Sequence, residues 1–180
     1  MSNNLIGVWY KGFHLRSRIE GRWCVFFDCM EIEWQYELEG YKLDKLYYLP
    51  DFWLPQVNMF AEVKSKQFTA EEIDKCWKLT EATRFSCMML VGIPDFKEYP
   101  ATEYDAWCDG FWTVDYALVD RFLETEHRFP AMNYASCPEM FGERYAAAVL
   151  AARSARFEHG EKPWTITSST TSKLAGTAAR

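Results

Sequence analysis

The chain has 180 residues, 49% of them apolar and 17% aromatic, and a formal net charge of −6. That length suits one domain with a substantial core. The negative balance excludes a strongly basic nucleic-acid coat while leaving room for a local basic surface.

The first stretch, MSNNLIGVWYKG, carries no signal-peptide pattern, and no apolar run approaches the length of a membrane span, so a cytoplasmic location is expected. Ser17 and Glu20 have the S-x-x-E spacing of a capping box, and Ile19, Trp23, Phe26, Phe27 and Met30 recur at helical spacing. A helix is predicted from Ser17 to Met30. In Glu31–Glu39 the residues Ile32, Trp34, Tyr36 and Leu38 alternate with polar ones, which predicts a half-buried strand ended by Gly40. A turn at Asp44-Lys45 leads into a run over Leu46–Leu54. The stretch LPDFWLPQVNMFAEVKSK, residues 49–66, then reads as a strand hairpin turning at Pro55-Gln56-Val57-Asn58.

Thr69-Ala-Glu-Glu72 repeats the capping-box pattern and starts a helix with Ile73, Cys76, Trp77 and Thr80 on one side. Phe85–Ile93 is a continuous apolar run stopped by Pro94, as expected of a central strand covered on both faces. The intervening helix makes the strands either side of it a candidate parallel crossover unit. Beyond Pro94, Glu103–Asp109 reads as loop, Phe111–Tyr116 as a strand and Ala117–Leu123 as a short helix. Pro138–Phe157 reads as a helix with Phe141, Tyr145, Ala148, Val149 and Ala152 on its core side and Gly160 at its end. Residues 161–180 are read as a disordered tail, and residues 1–160 as one domain with a core over about 12–95 and an elaboration over about 96–160. That elaboration holds six Lys/Arg against eleven Asp/Glu, where residues 1–95 hold eleven against fourteen. The six cysteines, Cys24, Cys29, Cys76, Cys87, Cys108 and Cys137, form no C-x-x-C pair and are expected to be free thiols, mostly buried.

The fold class expected is α/β (α+β), a mixed central sheet flanked by helices. The element order α-β-β-β-α-β, with Pro50-Asp51, ten intervening residues and then Glu62-Val63-Lys64, resembles the PD-(D/E)XK nuclease superfamily. GFHLRSRIEGRW and AARSARFEHGE are similar to the first and last helices of phage and prophage members. The resemblance implies a restriction-endonuclease-like core and a metal-dependent endonuclease acting on DNA in the cytoplasm of a host cell. It implies Mg²⁺, with Mn²⁺ as a substitute, held by Asp51, Glu62 and the Val63 backbone carbonyl, with Lys64 and Glu20 completing the catalytic set.

Strand geometry is consistent with this, since Glu62 and Lys64 project to one face and Val63 to the other. Phosphodiester hydrolysis needs a neutralised oxyanion and a hydroxide-like nucleophile, and a hard cation on oxygen ligands supplies both. Arg16, Arg18 and Lys66 are candidate DNA contacts, with Arg22, Arg153 and Arg156 grouped in the same cleft. Plainer alternatives stand beside each assignment. Asp51 would cap a turn after Pro50, Glu62 and Lys64 would be the solvent-facing pair of an edge strand, and Glu20 would serve only the helix cap. The aromatic residues Trp34, Tyr36, Tyr47, Tyr48, Phe52 and Trp53 would pack in the core or stack on bases. No zinc-finger spacing, helix-turn-helix cue or Walker loop is present. Two further classes stay open: a catalytically silent nuclease-fold protein that engages a host protein or DNA, and a junction resolvase acting as a homodimer.

Overall fold

The computed structural model describes residues 7–43, 45–105, 110–117 and 142–157. It begins with a hairpin that the sequence reading does not contain, strands β1 (Val8–Tyr10) and β2 (Phe13–Leu15). Its turn residues Lys11 and Gly12 have φ of 47° and 88°. Two positive values in a two-residue loop match the twist of the flanking strands.

Helix α1 (Arg18–Met30) starts where expected: the Ser17 hydroxyl accepts the Glu20 N–H at 3.2 Å and donates to Glu20 Oε1 at 2.7 Å. It ends at Glu31, left-handed at φ 58°, and the next N–H, of Ile32, bonds back to the Phe27 carbonyl at 2.8 Å. That closure corrects the strand expected over Glu31–Glu39. Ile32 is drawn into the core behind the helix, the Trp34 indole donates to Asp28 at 3.2 Å, and Glu37 turns left-handed at φ 45°. Only β3 (Gln35–Tyr36) remains of it.

The run over Leu46–Leu54 is likewise divided. β4 (Tyr41–Leu43) and β5 (Leu46–Tyr48) form a separate ribbon, and the chain passes through Pro50 and Asp51 into β6 (Phe52–Leu54). A single 3₁₀ turn over Pro55–Val57, closed by Asn58 at φ 49°, leads into β7 (Met59–Lys64). Helix α2 (Ala70–Thr83) carries the full capping box, with Thr69 accepting the Glu72 N–H and Glu72 accepting the Thr69 N–H. Thr69→Ala is expected to cost about 1 kcal/mol in urea denaturation, and an unchanged midpoint would show the box to be idle. β8 (Ser86–Val91) pairs parallel to β7, so the crossover unit is present as expected.

Two further strands complete the sheet, β9 (Glu98–Asp105) and β10 (Gly110–Ala117). The loop expected over 103–109 is therefore strand at least as far as Asp105, with 106–109 outside the described residues. β9 meets β8 at just two positions, Cys87↔Thr102 and Met88↔Ala101. Pro100, which lacks an N–H, falls beyond that short ladder. The sheet order is β10-β9-β8-β7-β6-β3, all antiparallel except β7–β8. The last helix, α3, spans Gly142–Ser154 and buries Tyr145, Ala148, Val149 and Ala152. It stops short of Phe157, and Ala117, expected to open a short helix, is the last residue of β10; the rest of that helix, 118–123, with Phe141, Pro138, Gly160 and the tail over 161–180, lies outside the described residues.

The architecture is mixed α+β in three layers. α1 and α3 pack Trp23, Phe26, Phe27 and Tyr145 on one sheet face, against Phe52, Leu54, Ala61, Val63, Met88 and Leu90. α2 and the β4–β5 ribbon cover the other face, with Leu43, Cys76, Leu79, Phe60, Cys87 and Met89. Gly21 permits the close meeting of α1 with the chain beyond α3. A Cβ there would stand 3.0 Å from both the Phe157 ring and Val8. Among the described residues no helix is long and apolar enough to cross a membrane. The described cysteines, Cys24, Cys29, Cys76 and Cys87, are free thiols, while Cys108 and Cys137 lie outside the described residues.

Candidate active site at the end of the β6–β7 hairpin

β7 lies between β6 and β8, so Glu62 and Lys64 do not form the solvent-facing pair of an edge strand. Strand alternation turns them, with Phe60, toward the α2 side of the sheet. Glu62 is 4% exposed and Asp51, just before β6, is 1% exposed. The β6–β7 register, Phe52↔Ala61, puts Asp51 opposite this end of β7. Its Oδ2 accepts the Val63 N–H at 2.7 Å. Asp51 therefore ties the hairpin across its strands and does not cap a local turn.

Each carboxylate has a cation against it. Arg16, from the segment before α1, bonds Asp51 Oδ1 through Nη2 and Glu37 Oε1 through Nε at 2.8 Å. Lys64 Nζ bonds Glu62 Oε1 at 2.5 Å. The remaining oxygen, Glu62 Oε2, is buried and makes no close hydrogen bond, with the Tyr48 hydroxyl near enough to the carboxylate that burial and Glu62 both hold its proton on. Burial pushes the Asp51 carboxyl up to about 7, helped by the negative charges of Glu62 and Glu20 and opposed by the Val63 N–H and Arg16. Burial alone would lower Lys64, but the carboxylates of Glu62, Asp51 and Glu72 together outweigh it and hold the ammonium above its ordinary value.

Glu20 enters from the opposite layer and is 5% exposed. Its Oε1 accepts from Ser17, and its Oε2 accepts the Arg16 N–H at 3.0 Å and the Tyr36 hydroxyl at 2.7 Å. Glu20 thus serves the cap and also fixes the segment that carries Arg16. Sequence reasoning missed the roles of Arg16, Glu37 and Tyr36. Arg16 and Asp51 are 35 residues apart, and no local pattern links them.

The donor set suits a hard cation. Asp51 and Glu62 offer carboxylate oxygens on one side of the sheet. The Lys64 carbonyl accepts the Gly92 N–H at 2.7 Å on the β8 side, so the Val63 carbonyl leaves β7 on the opposite side, with its own N–H, toward Asp51. The buried Glu62 Oε2 is the atom a cation would satisfy. Among the described residues no group of three His, Cys, Asp or Glu side chains is arranged to hold a metal ion. The site therefore offers two carboxylates and a carbonyl, with Glu20 engaged elsewhere.

Comparison with known proteins finds no matching family model, no matching curated relative and no matching solved structure.

The remaining candidates are dispersed. Arg18 is half-buried on α1, and Lys66 is exposed two residues beyond β7. Arg22, Arg153 and Arg156 line a groove of their own between α1 and the end of α3. Of the aromatic residues, Phe52 is core, Trp34 and Tyr36 pack on it, and Trp53 packs on Phe60 and Phe85. Tyr47 projects from the ribbon, 78% exposed.

Proposed function

We propose that the chain is a Mg²⁺-dependent DNA endonuclease, built on a restriction-endonuclease-like core, that hydrolyses phosphodiester bonds. The observation that carries this reading is the convergence of Asp51, Glu62 and Lys64 at one end of the β6–β7 hairpin, beside a parallel β7–α2–β8 unit. The phage or mobile-element origin rests only on the likeness of the first and last helices to such proteins.

Asp51, Glu62 and the Val63 carbonyl would hold the ion, Mn²⁺ substituting. When bound it supplies a Lewis acid for the phosphoryl oxygen and an acidified water. Lys64, half-buried and fully charged, offsets the negative charge that builds on the phosphoryl oxygens, or holds the attacking water by its ammonium protons. Glu20 acts through Arg16 and Tyr36 as a positioning residue. Cleavage of a panel of linear, supercoiled, single-stranded and four-way DNAs tests the proposal. Cutting in Mg²⁺ and none with chelator is expected. No cutting of any substrate, or equal cutting in chelator, would overturn it. Preference for the four-way DNA, together with a dimeric mass in solution, would mark a junction resolvase.

A second reading, a catalytically silent module that engages a host protein or DNA, is favoured by one observation. Both carboxylates already have internal cations, Arg16 and Lys64. Calorimetry with Mn²⁺ separates the two. A saturable signal lost in Glu62→Gln supports the nuclease, and no signal in the wild type supports the module.

A further inference from the structure

Away from the carboxylates, α1 and the end of α3 enclose a feature of opposite charge. Arg22, Arg153, Ser154 and Arg156 line a groove of about 340 Å³, at the lower end of the range for small-ligand pockets. The Gly21–Phe157 approach brings the exit of α3 against α1 beside Arg22. Arg153 is directed by Asp95 through bonds of 3.3 and 3.4 Å. Arg22 Nε is buried with no hydrogen-bond partner, and no carboxylate is paired with Arg22 or Arg156 among the described residues.

Among the described residues three guanidiniums meet one carboxylate, an excess of two positive charges. The C-terminus of α3 offsets only about half a charge. The guanidinium ends of Arg22, Arg153 and Arg156 that line the groove present donors with few internal acceptors, and an anion between them would supply those acceptors. Guanidinium forks match the oxygen geometry of phosphate, and a cluster of them favours it over a monovalent halide.

We propose that this groove is a binding site for a phosphate-type oxyanion, taking one phosphate group through Arg22, Arg153 and Arg156. The phosphate is carried either by a nucleic-acid backbone or by a free phosphate or phosphomonoester. The site stands on its own residues and does not depend on the metal reading.

The test is calorimetry on the full chain at low salt with chelator present, using two probes. One is inorganic phosphate and the other a short duplex without terminal phosphates. Saturable phosphate binding is expected, weakened at least about tenfold in Arg22→Gln/Arg156→Gln with the unfolding midpoint unchanged. If the double variant fails to fold, exposed Arg156→Gln alone serves, with a weakening of a few fold. Duplex binding competed by phosphate and weakened by the same variants assigns a nucleic-acid source, and phosphate binding alone assigns the free ligand. No saturable binding of either probe, or binding equal in wild type and variants, overturns the proposal. Equal weakening by Lys64→Ala would also overturn it, because that places the anion at the carboxylate site. A failed Mn²⁺ titration leaves this result untouched.

Discussion

Lys64→Ala is expected to lower Mg²⁺-dependent DNA cleavage by about a thousandfold or more, the scale for losing a positioned proton donor and its charge from a reacting centre. Its structural cost is real as well: Lys64 holds one oxygen of Glu62, whose own side chain is only 6% exposed, so the variant leaves a buried carboxylate without its cation, at about 3 kcal/mol. Asp51→Ala should silence cleavage as fully, but for two reasons at once. It removes a ligand oxygen, and it leaves the Val63 N–H and Arg16 without their acceptor, at about 1–3 kcal/mol for the buried N–H alone. Both variants thus lose stability as well as activity, and the loss of cleavage has to exceed what unfolding explains. Plasmid cleavage and thermal unfolding measured on both would show it. Full cleavage by Lys64→Ala would remove Lys64 from the chemistry.

The second large effect lies in the pH dependence of stability with the metal chelated. Asp51 has its carboxyl raised from 3.8 to about 7. A carboxyl that holds its proton more tightly in the folded state stabilises the fold fully below the unfolded value. That contribution is lost as pH rises through the folded one. Between about pH 4 and pH 8 the wild type should lose stability, with a ceiling of about 4 kcal/mol from this group at 1.36 kcal/mol per unit. Asp51→Asn is the control. It costs a hydrogen bond relative to the ionised carboxylate, because a carboxamide offers one acceptor oxygen where two donors, from Arg16 and Val63, converge, and its stability should vary less over the same range. Urea midpoints at several pH values decide the matter, and parallel profiles for wild type and variant would contradict the assignment.

Much of the fold was legible because local chemistry and tertiary structure agree. Ser17 with Glu20 and Thr69 with Glu72 mark helix starts that the hydrogen bonds realise. The apolar run through Cys87–Leu90 is a strand buried on both faces. The failures share a cause, since periodicity cannot say what a side chain packs against. Ile32 and Trp34 alternate with polar residues because a loop folds back along α1, not because a strand crosses a sheet. β9 carries Pro100 and no alternating apolar pattern, and it meets β8 at only two positions, so nothing local marks it as a strand. The site was half legible. The spacing of Glu62 and Lys64 encodes their shared face, and the hairpin accounts for Asp51. Arg16, which enters from outside the hairpin to hold Asp51, requires the assembled fold.

The two-position ladder between β8 and β9 divides the sheet into unequal partners. β9 and β10 pair along eight positions, but β9 is held by more than that ladder: Tyr99 and Ala101 are buried in the core, Tyr99 against Trp23, and the Thr102 hydroxyl meets Thr80 at 2.6 Å. β10 pairs with β9 alone among the described residues, so native-state opening should begin at that edge. β10 can part from β9 at a free energy below that of global unfolding, leaving β6, β7 and β8, which carry and flank the carboxylates, still protected from hydrogen exchange.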